Sequence, residues 1–437
     1  MLTAEQLIVK IYNSFSPFVP LPAGSPVYVN CSAVRGEENI YRELGKKIIN
    51  SDRPTYQLYG GHRGAGKSTE LLRLEEYLQQ RGCFVVYFDA NDKDIDAQDA
   101  EWTDILLACT RNLLLKLRDH APATTLDKLK NWLVSRAAEL KDIALTEVEL
   151  EDVQVAFDFL SATIKTVPSS RPNIRRQLDI HGLALTQILN ELISGSQARL
   201  TGRPKIVVIA DSLDRIPSKV IGDSTNLEQI FVNRADQMRQ LQCHIIYTLP
   251  VSLAYSPAAA QLANLYDDPQ ILPMVKVRER DGAIYAAGLA KLREMLGKRI
   301  ENIPEAAGLS LENQVFANGE LLSRLCLMSG GHIRDLMRFV QNALDWVDTL
   351  PITSKAVNRA LAQSRQTYHD AVNSEDWKHL VQVAQNKEIE NMAAFRKLLF
   401  NRCVLEYVDV YEDGSFDKWY DVHPLIKELP EFKGATP

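Results

Sequence analysis

A chain of 437 residues, at about 150 residues per domain, predicts about three folded units. With 46% hydrophobic and 24% charged residues, and only 21 Gly and 19 Pro, it is not a disordered, collagen-like or low-complexity chain. The net charge of −6 argues mildly against a protein held to nucleic acid through phosphate contacts, though a local basic groove stays open.

The apolar runs fall well short of the roughly 18 residues that a membrane span needs. Glu5 sits among the first apolar residues, where a signal peptide would have basic and then apolar ones, so a cytoplasmic protein is expected. The six cysteines (Cys31, Cys83, Cys109, Cys243, Cys326, Cys403) form no C-x-x-C pair, and the eight histidines no H-x-x-x-H pair. Neither a disulfide framework nor a zinc site is therefore expected.

In chain order, residues 2–12 read as a short helix, followed by a connector with Pro17, Pro20, Pro22 and Pro26 that wraps on something else. Residues 37–49 have helical spacing. A strand at 55–59, a Gly-rich loop, a helix at 67–80 and a strand at 83–88 open a parallel α/β sheet. Residues 98–200 read as helical with a break at Pro168 and Pro172, and the sheet resumes at 206–210 and 244–248. Thr225 and Glu228 have capping-box spacing at the start of a helix between those strands. A strand at 271–277 would close the sheet, and 281–365 is again helical. The last seventy residues hold three short helices and then strands at 404–411 and 416–422 around Asp413-Gly414, a hairpin signal. No fixed-period repeat is found.

The segment Gly61-His62-Arg63-Gly64-Ala65-Gly66-Lys67-Ser68-Thr69 fits G-x-x-x-x-G-K-[ST], with the strand before it and the helix after it that a phosphate loop requires. The glycines let successive N–H groups point at a phosphate, and the helix N-terminus adds partial positive charge. Lys67 reaches β- and γ-phosphates, and Ser68 offers a hydroxyl to Mg²⁺. His62 and Arg63 are expected to point to solvent and receive no role. The hydrophobic run 205–210 ends in Asp211, which places a carboxylate at the sheet's carboxyl edge, where Mg²⁺ would sit. Asp214 could orient the attacking water, or could cap a loop. Thr248 could bond a γ-phosphate or its water, or could simply end its strand before Pro250. Ser329-Gly330-Gly331-His332-Ile333-Arg334 opens a helix, and an Arg in the first turn runs against the dipole. Arg334 could reach back to a γ-phosphate, or could lie on a solvated face.

Together these motifs, over roughly residues 28–345, resemble the AAA+ and STAND superfamily of P-loop ATPases, nearest to origin-recognition-like and KAP-type members. The resemblance implies Walker A at Lys67 and Ser68, Walker B at Asp211, sensor 1 at Thr248 and sensor 2 at Arg334. Gly61, Gly64, Ala65, Gly66 and Thr69 would complete the nucleotide cradle. Val34-Arg35-Gly36-Glu37-Glu38 resembles the motif that packs on adenine, and 370–437 is similar to a winged helix. The implied fold is α/β, a parallel-sheet P-loop NTPase core with a large helical insertion, an all-α lid and a C-terminal winged-helix domain. The expected divisions are 1–52 as linker, 53–278 as core with its insertion at about 98–200, 279–367 as lid and 368–437 as winged helix.

AAA+ hydrolases usually carry Glu after the Walker B Asp, whereas Ser212 stands here, closer to STAND and KAP-type order. Slow hydrolysis of ATP with Mg²⁺ fits better than fast turnover. Arg234 and Arg239 could act in trans or lie on a solvated face. Residues 370–437 hold 13 acidic and 8 basic residues, and the hairpin tip has Asp409, Glu412, Asp413 and Asp417 without a base. Such a wing suits a protein contact better than DNA. The leading expectation is an ATP/ADP-operated regulatory switch that controls self-association or a protein effector, as in bacterial defence or signalling systems. A DNA-loading initiator-type ATPase is the alternative, with Arg171, Arg175 and Arg176 as one modest basic candidate in the helical insertion that could equally be a solvated or intersubunit face. A small-molecule kinase and a scaffold without turnover are further options.

Overall fold

The structure is a computed structural model that describes residues 3–36, 39–137 and 152–435. Glu37 and Glu38 of the adenine-side motif, and part of the helical stretch expected over 98–200, lie outside the described residues. The chain forms two compact units, each from non-contiguous segments. One, the sheet unit, comprises Ile40–Gly60 and Leu74–Gln270. The other, the loop unit, comprises Met1–Asn39, Gly61–Arg73 and Ile271–Pro437.

The sheet unit is built on strands Tyr56–Gly61 (β1), Phe84–Asp89 (β2) and Ile206–Asp211 (β3). Two residue pairs, Val220–Ile221 (β4) and Ser224–Thr225 (β5), make a small antiparallel hairpin before His244–Leu249 (β6). The pairings β2–β3, β3–β6 and β6–β1 are all parallel. Gln270–Leu272 (β7) completes the order β2-β3-β6-β1-β7. All residues of β3 and β6 are buried, as expected for central strands covered on both faces.

The helices after β2 cover this sheet. Trp102–Leu117 is apolar around most of its circumference and packs against β2 and the helices Val153–Thr166 and Arg171–Arg199. Its buried Asp104 is held at both oxygens by Arg175, at 2.7 and 3.0 Å. Arg171 is equally buried and pairs with Asp96 at 2.8 Å and Asp99 at 3.0 Å. Of the suspected basic cluster only Arg176 is exposed, and it bonds Asn173. Guanidiniums consumed by internal carboxylates present no surface to phosphates.

Two elements depart from the sequence reading. The strand expected over 271–277 ends at Leu272, because Pro273 has no N–H for the ladder. Beyond it, Met274 N–H donates to the Glu406 carbonyl and Lys276 N–H to the Val34 carbonyl. The Thr225–Glu228 capping box is present, but the helix it opens breaks into Asn226–Glu228, a π turn at Gln229–Asn233 and Ala235–Met238.

In the loop unit, Ala4–Ser14 packs on Ala286–Glu301 and Ile333–Leu344. Gly319–Met328 and Ser354–Asp370 join them. The proline-rich connector wraps on the phosphate-loop region, with Leu21 N–H donating to Thr69 Oγ1 at 3.1 Å. Trp377–Asn386 and Ala393–Phe400 precede an antiparallel hairpin, Val404–Val410 (β8) and Phe416–Val422 (β9). Where the sequence predicts three short helices before the hairpin, the described residues form these two and a 3₁₀ turn, Ser374–Asp376, and two short helices, Pro424–Lys427 and Pro430–Ala435, follow it. All six cysteines are free and buried, and burial pushes Cys31 up to about 11 and Cys109, Cys326 and Cys403 to about 12. No helix among the described residues is long and apolar enough to cross a membrane.

Gly331 and Gly414 both have positive φ, +80° and +84°, but a methyl on Gly331 would lie 1.7 Å from the Val275 carbonyl oxygen whereas Gly414 faces open space. Gly331→Ala is therefore expected to destabilise the loop unit by at least about 2 kcal/mol and Gly414→Ala by about 1 kcal/mol. Scanning calorimetry of the two variants should show the larger Tm loss for Gly331.

Candidate functional site

The glycine pattern of the phosphate loop has a direct backbone cause. Gly61, Gly64 and Gly66 adopt φ of +133°, +90° and +109°, which L side chains rarely tolerate. The loop then enters the helix Lys67–Gln79. Lys67 is buried and its Nζ donates to the Gly61 and His62 carbonyls at 2.8 and 2.9 Å. Ser68 and Thr69 lie in the first turn, half-buried, and the Thr69 hydroxyl is engaged by the Leu21 N–H. Ala65 is buried, and its carbonyl accepts from Arg35 Nη2 at 2.7 Å, while Arg35 Nη1 donates to the Pro273 carbonyl at 3.2 Å. Arg35 is thus a brace on the phosphate loop, and Val34 is a buried neighbour whose carbonyl is taken by Lys276.

Further segments of the loop unit hold the same loop. Arg334 N–H donates to the Gly64 carbonyl at 3.2 Å, and His332 Nε2–H donates to the Arg63 carbonyl at 2.6 Å. A methyl on Gly64 would stand 2.7 Å from Arg334 Cβ and 2.8 Å from the His332 ring, so only glycine admits this helix start. The Arg334 Nε donates to the Pro17 carbonyl at 3.1 Å, and its guanidinium lies over Phe18.

His62 departs from the sequence expectation of a solvent-facing side chain. It is buried, with Nδ1 at 3.1 Å from the Leu399 carbonyl and Nε2 accepting the Glu406 N–H at 3.2 Å. An acceptor at one nitrogen and a donor at the other fix the neutral Nδ1–H tautomer. Burial lowers its pKa to about 3, helped by repulsion from His332 and Lys67.

Behind this contact lies a charge that sequence patterns did not reveal. Asp335 is buried among His332 Nδ1 at 3.1 Å, Arg402 Nη1 at 3.2 Å, His423 Nε2 at 3.5 Å and the Tyr368 hydroxyl. Burial alone would raise its carboxyl, but His332, His423 and Arg402 together hold it well below the usual range. His423 stacks on Tyr368 at 4.0 Å.

The sheet unit gathers a second set. Asp211 ends β3, accepts the Tyr87 hydroxyl at 2.8 Å and takes the Ser212 N–H at 2.6 Å. Ser212 has φ +69° and leads into the 3₁₀ turn Leu213–Arg215, in which Asp214 is buried. Burial and the neighbouring Asp211 raise the Tyr87 phenol, so it donates rather than ionises. Thr248 lies on β6, between β1 and β3, and its Oγ1 accepts the Leu213 N–H at 2.8 Å. Its hydroxyl therefore fixes the turn that carries Asp214. Arg234 pairs with Asp179 at 3.1 Å and covers Trp102, and Arg239 lies over Tyr56, so both are engaged within their own unit.

Lys67, Ser68 and the glycine cradle suit a nucleotide's phosphates. No group of three or more His, Cys, Asp or Glu among the described residues could hold a metal by itself. Mg²⁺ is usually bound through one or two carboxylates plus the phosphates of a substrate.

No family model matches the chain, and no curated protein does. Among solved structures, the Aeropyrum pernix Orc1 protein in complex with DNA is similar at 12% identity and TM-score 0.38, covering 98% of this chain and 95% of that one. A Walker-type ATPase of Pyrococcus abyssi has 14% identity and TM-score 0.40, covering 94% and 98%. The Aeropyrum pernix Orc2 protein in ADPNP–ADP complexes has 11% identity and TM-score 0.44, covering 97% and 96%. Likeness this weak transfers neither activity nor partner to the chain.

Two outcomes check this geometry. Thr248→Val leaves the Leu213 N–H without its acceptor and is expected to cost about 1–3 kcal/mol in urea unfolding, while Thr248→Ser stays near wild type. His62, at about 3 against an ordinary 6.5, binds fewer protons when folded than unfolded between those values. Its contribution is complete above pH 6.5 and falls as pH drops, by roughly 2 kcal/mol at pH 5. His62→Gln should show a correspondingly flatter decline of stability between pH 7.5 and 5.

Proposed function

We propose that the chain is a nucleotide-operated switch of the AAA+/STAND type, which binds ATP with Mg²⁺, hydrolyses it slowly and controls self-association or a protein effector. The observation that carries this reading is the joint grip on the phosphate loop. Residues of the helix start at 332–334 and of the C-terminal segment at 399–406 hold carbonyls and a side chain of the loop itself. A ligand that reshapes the loop therefore acts on both segments.

In this reading Gly61, Gly64, Ala65, Gly66 and Thr69 shape the cradle, Lys67 takes the phosphate charge, and Ser68 and Asp211 form the metal side. Val34 and Arg35 support the nucleotide side of the loop, and Arg334 leaves the Pro17 carbonyl to respond to the γ-phosphate. Asp214 orients water, and Thr248 holds the turn that carries it. Bound ATP with Mg²⁺ supplies the phosphoanhydride and its charge. Ser212, in a left-handed conformation, stands where a catalytic Glu would follow Asp211, which supports slow turnover, on the order of 10⁻⁴ to 10⁻² per second as in P-loop switches without a partner's help. The four-part division at 52, 278 and 367, with a winged helix at the end, belongs to the same proposal, as does a cytoplasmic role in bacterial defence or signalling. Around the hairpin turn the acids combine with exposed Tyr411 and Phe416, which favours a protein surface over DNA as its partner.

The second reading is a DNA-loading ATPase, the alternative that the resemblance of the motifs implies. Light scattering on wild type and Lys67→Ala, with Mg²⁺–ATP, with ADP and with neither, each with and without duplex DNA, separates the two. A larger species that forms with ATP alone, in wild type only, is expected. Assembly that requires DNA would replace this reading with the loader. Lys67→Ala should also weaken ATP binding at least about tenfold, a loss of about 1.4 kcal/mol, read by fluorescent-nucleotide titration.

A further inference from the structure

Phosphate binding by a loop of this kind uses backbone N–H groups, not the side chain at position 62. A histidine with both ring nitrogens committed is therefore surplus to the phosphate chemistry. Its partners, Leu399 and Glu406, lie 337 and 344 residues further along the chain. They flank the start of β8, the strand that opens the hairpin.

The same residue is gripped on its backbone. The His62 carbonyl accepts from Lys67 Nζ at 2.9 Å, and the Gly61 carbonyl accepts from the same ammonium at 2.8 Å. Two of the three ammonium donors are on these carbonyls, so a phosphate that draws the charge toward itself strains both bonds. The residue they hold is the one whose ring is bonded to Leu399 and Glu406. Glu406 in turn is tied by its own carbonyl to Met274 N–H, on the stretch that follows β7.

We propose that His62 is a positioning residue that latches the start of β8 to the phosphate loop, and that phosphate binding at the loop releases this latch. The proposal rests on the nucleotide reading above and deepens it by naming the contact that transmits occupancy. The latch is a neutral hydrogen-bonded pair of contacts, so it is insensitive to salt. His62→Ala removes both bonds. His62→Asn keeps a donor where Nδ1 stands and removes the acceptor for the Glu406 amide.

Hydrogen exchange by mass spectrometry on the full chain, with Mg²⁺–ATP and without nucleotide, tests it together with fluorescent-ATP titration. In wild type, peptides covering 399–410 should gain exchange on adding Mg²⁺–ATP. In His62→Ala they should exchange at least about tenfold faster without nucleotide and respond to ATP less than about twofold. ATP should bind His62→Ala about three- to tenfold tighter, because binding no longer works against the latch. His62→Asn should fall between the two, and it decides the matter if His62→Ala fails to fold. Exchange over 399–410 that is the same in wild type and variants without nucleotide overturns the latch, even where ATP binds. An unchanged ATP response in the variants overturns the release. Failure of wild type to bind ATP, with fast exchange in the variants, overturns the nucleotide reading and leaves His62 as a plain structural tie.

Discussion

The loop unit is organised around one buried charge. A carboxylate removed from water is costly unless every oxygen finds a partner, and Asp335 finds them on four segments of chain. His332 comes from the turn before its own helix, Tyr368 from the end of Ser354–Asp370, Arg402 from just before β8, and His423 from just after β9. Helical and C-terminal segments therefore share one charge, and a segment that leaves takes one of its neighbours away. The other nitrogen of His332 reaches the phosphate loop, so the loop's shape is set from within this network.

The sheet unit uses the opposite device, a neutral hydroxyl on a strand. Thr248 accepts the Leu213 N–H and so determines the course of the chain after Asp211. Tyr87, one strand further out, donates to Asp211 and aims its carboxylate. A serine in the left-handed region marks the point where β3 must turn sharply to satisfy both constraints.

What was legible in the sequence was local. The G-x-x-x-x-G-K-S-T run, the apolar strands at β3 and β6, the Thr225–Glu228 box and the Asp413-Gly414 turn all carry their signal within about ten residues. What was not legible depends on distant partners. His62 looks like a filler in a glycine loop until Leu399 and Glu406 are placed beside it. Arg171 and Arg175 look like an exposed basic cluster because the acids they serve, Asp96, Asp99 and Asp104, lie 71 to 76 residues upstream. The end of β7 at Leu272 was readable in principle, since Pro273 breaks any ladder. The apolar pattern through Val277 outweighed it, because those side chains are buried against other segments of the loop unit. The assignment of Asp335 needed four contacts at once, which no spacing rule contains.

The six buried thiols have a consequence for the chain's chemistry. Oxidants attack the thiolate, and a thiol that is both hidden and held protonated offers them almost none. A disulfide-exchanging partner therefore finds little thiolate to meet on the folded chain, and oxidation by peroxide is directed instead to exposed Met392.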